Sequence, residues 1–209
     1  MKKISLCILL PALFASCSVL KPVKDTSISH LLDPAVPERT VTGASPAIAV
    51  SRPSLPSYLD RQQLVSRTTT GELNMNAYHL WAEPLDAGIS RVTAANLSRL
   101  TNSLNVQPVE NFVTLDYQSL LEIRVSRFEP DASGQIVLAC TWKLQPVAGR
   151  VAAIRSFNTS VPVSGPPVAA GPQTGRINAM NEALARLARE IARSANTTSV
   201  PTVPVPTAS

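Results

Sequence analysis

The clearest signal along the chain is a pair of alternating segments. From Tyr117 to Phe128, the residues Tyr117, Leu121, Ile123 and Val125 share one face, while Gln118, Glu122, Arg124 and Ser126 share the other. From Gln135 to Leu144, the residues Ile136, Leu138, Cys140, Trp142 and Leu144 alternate with Gln135, Thr141 and Lys143. A period of two marks a strand with one buried face, and the turn cluster Glu129–Gly134 between the segments predicts an antiparallel hairpin. Shorter strands are expected at Ser45–Val50, Leu64–Ser66 and Leu73–Met75, and a less regular one near a sheet edge at about Arg150–Val163. Elsewhere the period becomes helical. After Pro84, the residues Leu85, Ile89, Val92, Leu97, Leu100 and Leu104 keep to one face until Asn105 and Pro108 end the pattern. Ile177, Met180, Leu184, Leu187, Ala188 and Ile191 form a second stripe. The expected fold class is α+β: a single domain, mainly antiparallel sheet with two amphipathic helices packed on one face, flanked by a disordered linker and tail.

The ends of the chain carry different information. Lys2 and Lys3 precede an apolar stretch, Ile4–Phe14, followed by the small residues Ala15 and Ser16. That stretch is too short to cross about 30 Å of hydrocarbon at about 1.5 Å per residue, so it reads as an export signal rather than a span. Leu13-Phe14-Ala15-Ser16-Cys17 resembles a bacterial lipobox, which makes residues 1–16 a lipoprotein signal peptide and Cys17 the lipidation site. An ordinary secretory signal is the competing reading. Residues 17–45, with Pro22, Pro34 and Pro37 and many Ser and Thr, are expected to be a flexible linker. Residues 46–193 are expected to form the domain, and residues 194–209 a disordered Pro/Thr-rich tail.

Loss of the signal lowers the formal charge from +5 to +3, because Lys2 and Lys3 leave and no acidic residue does. The remaining basic residues are scattered, which is no nucleic-acid signature. Of the three cysteines, Cys7 leaves with the signal and Cys17 is acylated, so Cys140 has no disulfide partner and reads as a small core residue.

Little in the sequence points to catalysis. There is no G-x-x-x-x-G-K-[ST] loop, so an ATP-driven process must keep its motor in another chain. There is no G-x-S-x-G elbow. His30 lies in the expected linker and His79 stands beside Leu80-Trp81; neither has metal-ligand spacing with Cys140 or a pair of carboxylates. No cofactor is implied, and a non-enzymatic protein is expected.

Two patches remain. In Leu55–Arg67, Tyr58, Asp60, Arg61 and Arg67 are set between apolar anchors; Trp81-Ala82-Glu83-Pro84-Leu85 leads directly into the first helix. Arg and aromatic anchors of this kind suit a partner interface. They suit the fold equally: Asp60 pairing with an arginine in a strand crossover, Trp81 anchoring the helix start, and Glu83 favoured by the helix dipole.

These patches carry a resemblance. Leu55-Pro56-x-Tyr58-Leu59-Asp60-Arg61-x-Gln63-Leu64-Val65-x-Arg67, Trp81-Ala82-Glu83-Pro84-Leu85, the Tyr117–Phe128 strand, the strand through Trp142 and the helix Ala183–Ala192 occur in this order. Together with the lipobox-type start, the chain resembles the ABC-type transport auxiliary lipoproteins, or PqiC-like lipoproteins. The resemblance implies a non-catalytic lipoprotein of the outer membrane, facing the periplasm, in a system that moves lipids or other hydrophobic molecules across the envelope. It implies as partners an MCE-domain protein with an inner-membrane ABC permease and ATPase, with the membrane reached through the lipid anchor. A homo-oligomer is left open, and so is a general envelope-assembly lipoprotein that binds proteins rather than serving lipid traffic.

Overall fold

The computed structural model describes residues 26–109, 116–149, 151–164 and 173–198, with side chains through residue 195. The expected signal peptide, Cys17 and the end of the expected tail lie outside these residues. The elements are β1 (Ile28–His30), β2 (Ile48–Val50), β3 (Gln63–Arg67), β4 (Leu73–Trp81), α1 (Leu85–Thr101), β5 (Val106–Pro108), β6 (Ser119–Pro130), β7 (Gln135–Pro146), β8 (Arg155–Pro162) and α2 (Thr174–Thr198). The fold is α+β, with the strands in two sheets rather than one.

The larger sheet has the order β5-β2-β6-β7-β8, and the smaller β1-β4-β3. The expected hairpin is β6–β7, antiparallel from Ser119↔Pro146 to Pro130↔Ile136, and β8 continues it as the edge strand. β2 runs parallel to both β5 and β6, and β1 parallel to β4. Each parallel pair requires a long crossover, which the intervening elements supply. α1 lies over β2 and β5, α2 over β6, β7 and β8, and the helices pack on each other. Leu121, Ile123, Val125, Phe128, Leu138, Cys140, Trp142, Ile89, Val92, Leu97, Leu184 and Leu187 are buried in the resulting core.

Several sequence expectations are corrected by local geometry. α1 stops at Thr101 because Asn102 adopts a left-handed conformation (φ 55°, ψ 38°), which Asn tolerates better than most residues. Leu104, expected on the helical face, is therefore exposed. Tyr117 precedes β6 and is also exposed, not part of its buried face. In β6 the register shifts between Val125 and Arg127, so the inward positions pass from Val125 to Phe128. A bulge of this kind leaves one residue, here Ser126, without an opposite number and reverses the parity beyond it. Glu129 consequently lands on the face opposite Phe128, where it is fully buried.

The expected linker is corrected over its described part. Residues 26–45 are docked on the domain, because their backbone is bound by polar side chains of the two helices. Arg91 Nη2 donates to Leu32 O at 2.8 Å, Arg99 Nη1 donates to Val36 O at 2.6 Å, and Val36 N donates to Asn96 Oδ1 at 3.0 Å. Asp33 N donates to Asn181 Oδ1 on α2 at 3.0 Å. Leu32 and Val36 are buried, and β1 adds an edge to β4. Further along, Gly43 N donates to Asn102 O at 3.0 Å, and a Cβ at Gly43 would stand 2.2 Å from that oxygen, so only glycine fits. At the other end, α2 continues through Thr198, so the first residues of the expected tail are helical.

Candidate functional site

The two sequence patches meet across the smaller sheet. Gln63 pairs with Leu80 between β3 and β4, and Trp81 N donates to Gln62 O at 2.7 Å. Before β3, the chain follows β6: Ser51 N donates to Leu121 O at 3.0 Å and Ser54 N to Ile123 O at 3.1 Å. This track delivers Tyr58 to the bulged end of β6, where its hydroxyl oxygen lies 3.2 Å from Ser126 O.

There the buried Glu129 carboxylate gathers four donors. Oε1 accepts from Arg67 Nε at 3.1 Å and Arg127 Nε at 2.9 Å. Oε2 accepts from the Tyr58 hydroxyl at 3.0 Å and from Phe128 N at 2.9 Å. Arg67 also lies over the Tyr58 ring, 5.3 Å from its centroid. Burial and the neighbouring Glu129 carboxylate push the Tyr58 phenol up, while hydrogen bonding to Glu129 raises Arg67 further. A carboxylate holding four donors has no lone pair directed at a substrate proton. The arrangement is a clasp between the patch and the end of β6.

The other candidate residues divide by depth. Trp81 closes the core at the end of β4. Glu83 accepts from Arg91 Nη2 at 2.6 Å, the same group that holds Leu32 O, and Gly88 leaves room because a Cβ there would come within 3.0 Å of Glu83 Oε1. Asp60 is exposed. Arg61 lies against Met75 Sδ at the surface of β4, with its Nε buried and unpaired. The structure thus brings together Tyr58 and Arg67, places Trp81 and Glu83 on a separate junction with the N-terminal segment, and leaves Asp60 exposed and Arg61 half-buried against Met75.

Sequence reasoning missed Glu129, Arg127 and Arg176. In the sequence Glu129 reads as the first residue of the turn, and its one signal is the broken alternation between Val125 and Phe128. It also passed over a contact between the two histidines: His30 Nε2 and His79 Nδ1 are 2.8 Å apart and their rings stack with centroids 5.0 Å apart. Desolvation, then His79 and Arg176, pull His30 down from its ordinary value. Among the described residues, no group of three or more His, Cys, Asp or Glu is placed to hold a metal ion. No described helix is long and apolar enough to cross a membrane.

Residues 30–192 match the model of the family described as ABC-type transport auxiliary lipoprotein component. The chain belongs to that family. The match begins at His30, inside the docked N-terminal segment, and ends near the close of the α2 stripe. Membership makes the chain a transport-associated lipoprotein of the cell envelope, anchored to a membrane, and is consistent with a role other than catalysis. Among solved structures, an uncharacterized protein is similar at TM-score 0.61 and 19% identity, covering 75% of this chain and 96% of its own. Protein XCC0632 from Xanthomonas campestris is similar at TM-score 0.56 and 19% identity, covering 83% of this chain and 98% of its own. At these identities the likeness is one of fold. No curated protein matches the sequence.

Proposed function

We propose that the protein is a non-catalytic, lipid-anchored component of an ABC/MCE-type transport system that moves lipids or other hydrophobic molecules across the cell envelope. Family membership over residues 30–192 carries this reading. Cys17 is the proposed attachment point, acylated after removal of residues 1–16, with the domain facing the periplasm from the outer membrane. Each buried methylene of an acyl chain contributes about 0.8 kcal/mol, so more than one chain gives a stable anchor.

Docking of residues 26–45 changes the reach of the anchor. Nine residue steps separate Cys17 from Thr26. Fully extended, they span about 30 Å, against about 90 Å had the whole segment to residue 45 been free. The domain is therefore held close to the lipid surface, and its partner must come to it. Anchoring also raises the local concentration at which a weak contact is made. Asp60 and Arg61 are the proposed partner-facing residues, while Tyr58, Arg67, Trp81 and Glu83 act by fixing the surface that carries them.

Affinity purification of the full chain from its native membrane, with identification of bound proteins, tests the reading. Recovery of an MCE-domain protein with an ABC permease and ATPase is the expected result. Recovery of envelope-assembly proteins alone would replace it with the general assembly reading.

A further inference from the structure

A cavity of about 850 Å³ opens between the β3–β4 strands, the β6–β7 turn, Val163 and the start of α2. It is of the size that takes a drug-sized ligand, larger than a free inorganic ion requires. Its walls divide by chemistry. Met75, Tyr78, Pro130 and Val163 offer apolar surface, and Tyr78 is left 63% exposed at one side. Arg67 and Arg176 line the same space.

Arg176 is in an unusual position. It lies in the first turn of a helix of 25 residues, at the positive end of the helix dipole, and that turn contains no acidic residue. Its side chain is only 3% exposed. One guanidinium nitrogen, Nη2, donates to Val65 O, but Nε is buried without a partner. Desolvation pulls the group down to about 10, with Glu129 supplying the opposing attraction. Glu129 already accepts from Arg67, Arg127, Tyr58 and Phe128 N, so that one carboxylate is shared among three guanidinium groups. The carboxylate that does line the cavity, Asp131, is committed to the β6–β7 turn through Ser133 N, Ser133 Oγ and Gln135 N at 2.7–3.0 Å. Two guanidinium groups, Arg67 and Arg176, thus line the cavity against one carboxylate, and positive charge exceeds negative beside an apolar wall.

We infer that this cavity binds an anionic amphiphile, with its phosphate or carboxylate drawn to Arg176 and Arg67 and its apolar part lying against Met75 and Tyr78. The anion supplies the counter-charge that the helix start lacks, and charge-assisted hydrogen bonds to guanidinium favour oxyanions over neutral groups. Orientation follows from the walls: the head enters toward α2 and the apolar portion remains toward the exposed face of β4. Neither Asp60 nor Arg61 lines the cavity, Arg61 meeting it only through Met75 Sδ, and the variants below leave both in place, so failure of this site would leave the anchoring and partner readings standing.

The test is calorimetric titration of the full chain in phosphatidylcholine nanodiscs, against empty discs, with hexyl phosphate, hexanol and inorganic phosphate. Hexyl phosphate is expected to saturate one site per chain, inorganic phosphate to bind at least tenfold more weakly, and hexanol to show no saturable binding. Arg176→Met and Asn74→Asp are each expected to weaken hexyl phosphate at least tenfold; Asn74 lines the cavity at an exposed position, so it carries the test if Arg176→Met does not fold. Absence of saturable hexyl phosphate binding, or binding unchanged in the folded variants, overturns the inference. Equal affinity for inorganic phosphate reduces the site to a free-anion site and overturns the amphiphile. Equal affinity for hexanol overturns the anionic requirement.

Discussion

Arg67 Nε stands 3.1 Å from Glu129 Oε1, and the carboxylate it meets has no solvent exposure at all. Arg67 closes β3, Glu129 lies near the end of β6, and their contact fixes the smaller sheet against the larger. Removing one partner of a buried ion pair leaves an uncompensated charge, at a cost of about 3–5 kcal/mol. Here Glu129→Ala strands Arg67 and Arg127 together and takes the acceptor from Tyr58. The expected result is a loss of that order in urea denaturation at neutral pH. A change below about 1 kcal/mol would show that the clasp does not hold the sheets together.

The histidine pair gives stability a sign with pH. His30 is held below its ordinary value near 6.5 in the folded state. An unfolded chain then binds the proton more readily, so stability is complete above the unfolded value, falls as pH drops through it, and stops falling below the folded value. Thermal melts between pH 7.5 and 4.5 are expected to show this decline, and His30→Gln to remove the part due to His30. A variant with the same pH slope as the parent would show that protonation acts elsewhere.

Arg91 joins Glu83 to the backbone of Leu32. Hydrogen bonds that involve a charged group contribute about 1.5–3 kcal/mol each. Arg91→Met is expected to raise amide exchange in residues 32–36 at least tenfold while β6 and β7 stay protected. Unchanged exchange would mean that burial of Leu32 and Val36 alone docks the segment.

What the sequence disclosed was whatever repeats with a period. β6 and β7 are legible because Leu121, Ile123 and Val125 face Leu144, Trp142 and Cys140 in register, and α2 because its stripe is unbroken. Cys140 was legible for the same reason; burial pushes its thiol up to about 12, as a core position requires. Docking of residues 26–45 carries no period, since it depends on backbone groups meeting Arg91, Asn96, Arg99 and Asn181 from distant helices. Glu129 was hidden by the bulge at Ser126, which reversed the face a simple alternation assigns to it. Arg176 looked like one more basic residue in an amphipathic helix; only the cavity beside it and its unpaired Nε set it apart.

Intact-mass analysis of the mature protein from its native membrane tests the central claim most directly. The account predicts a chain that begins at Cys17, carries fatty acyl groups on that residue and sediments with the membrane. A mature chain that begins elsewhere or has an unmodified Cys17, recovered without the membrane, would contradict it.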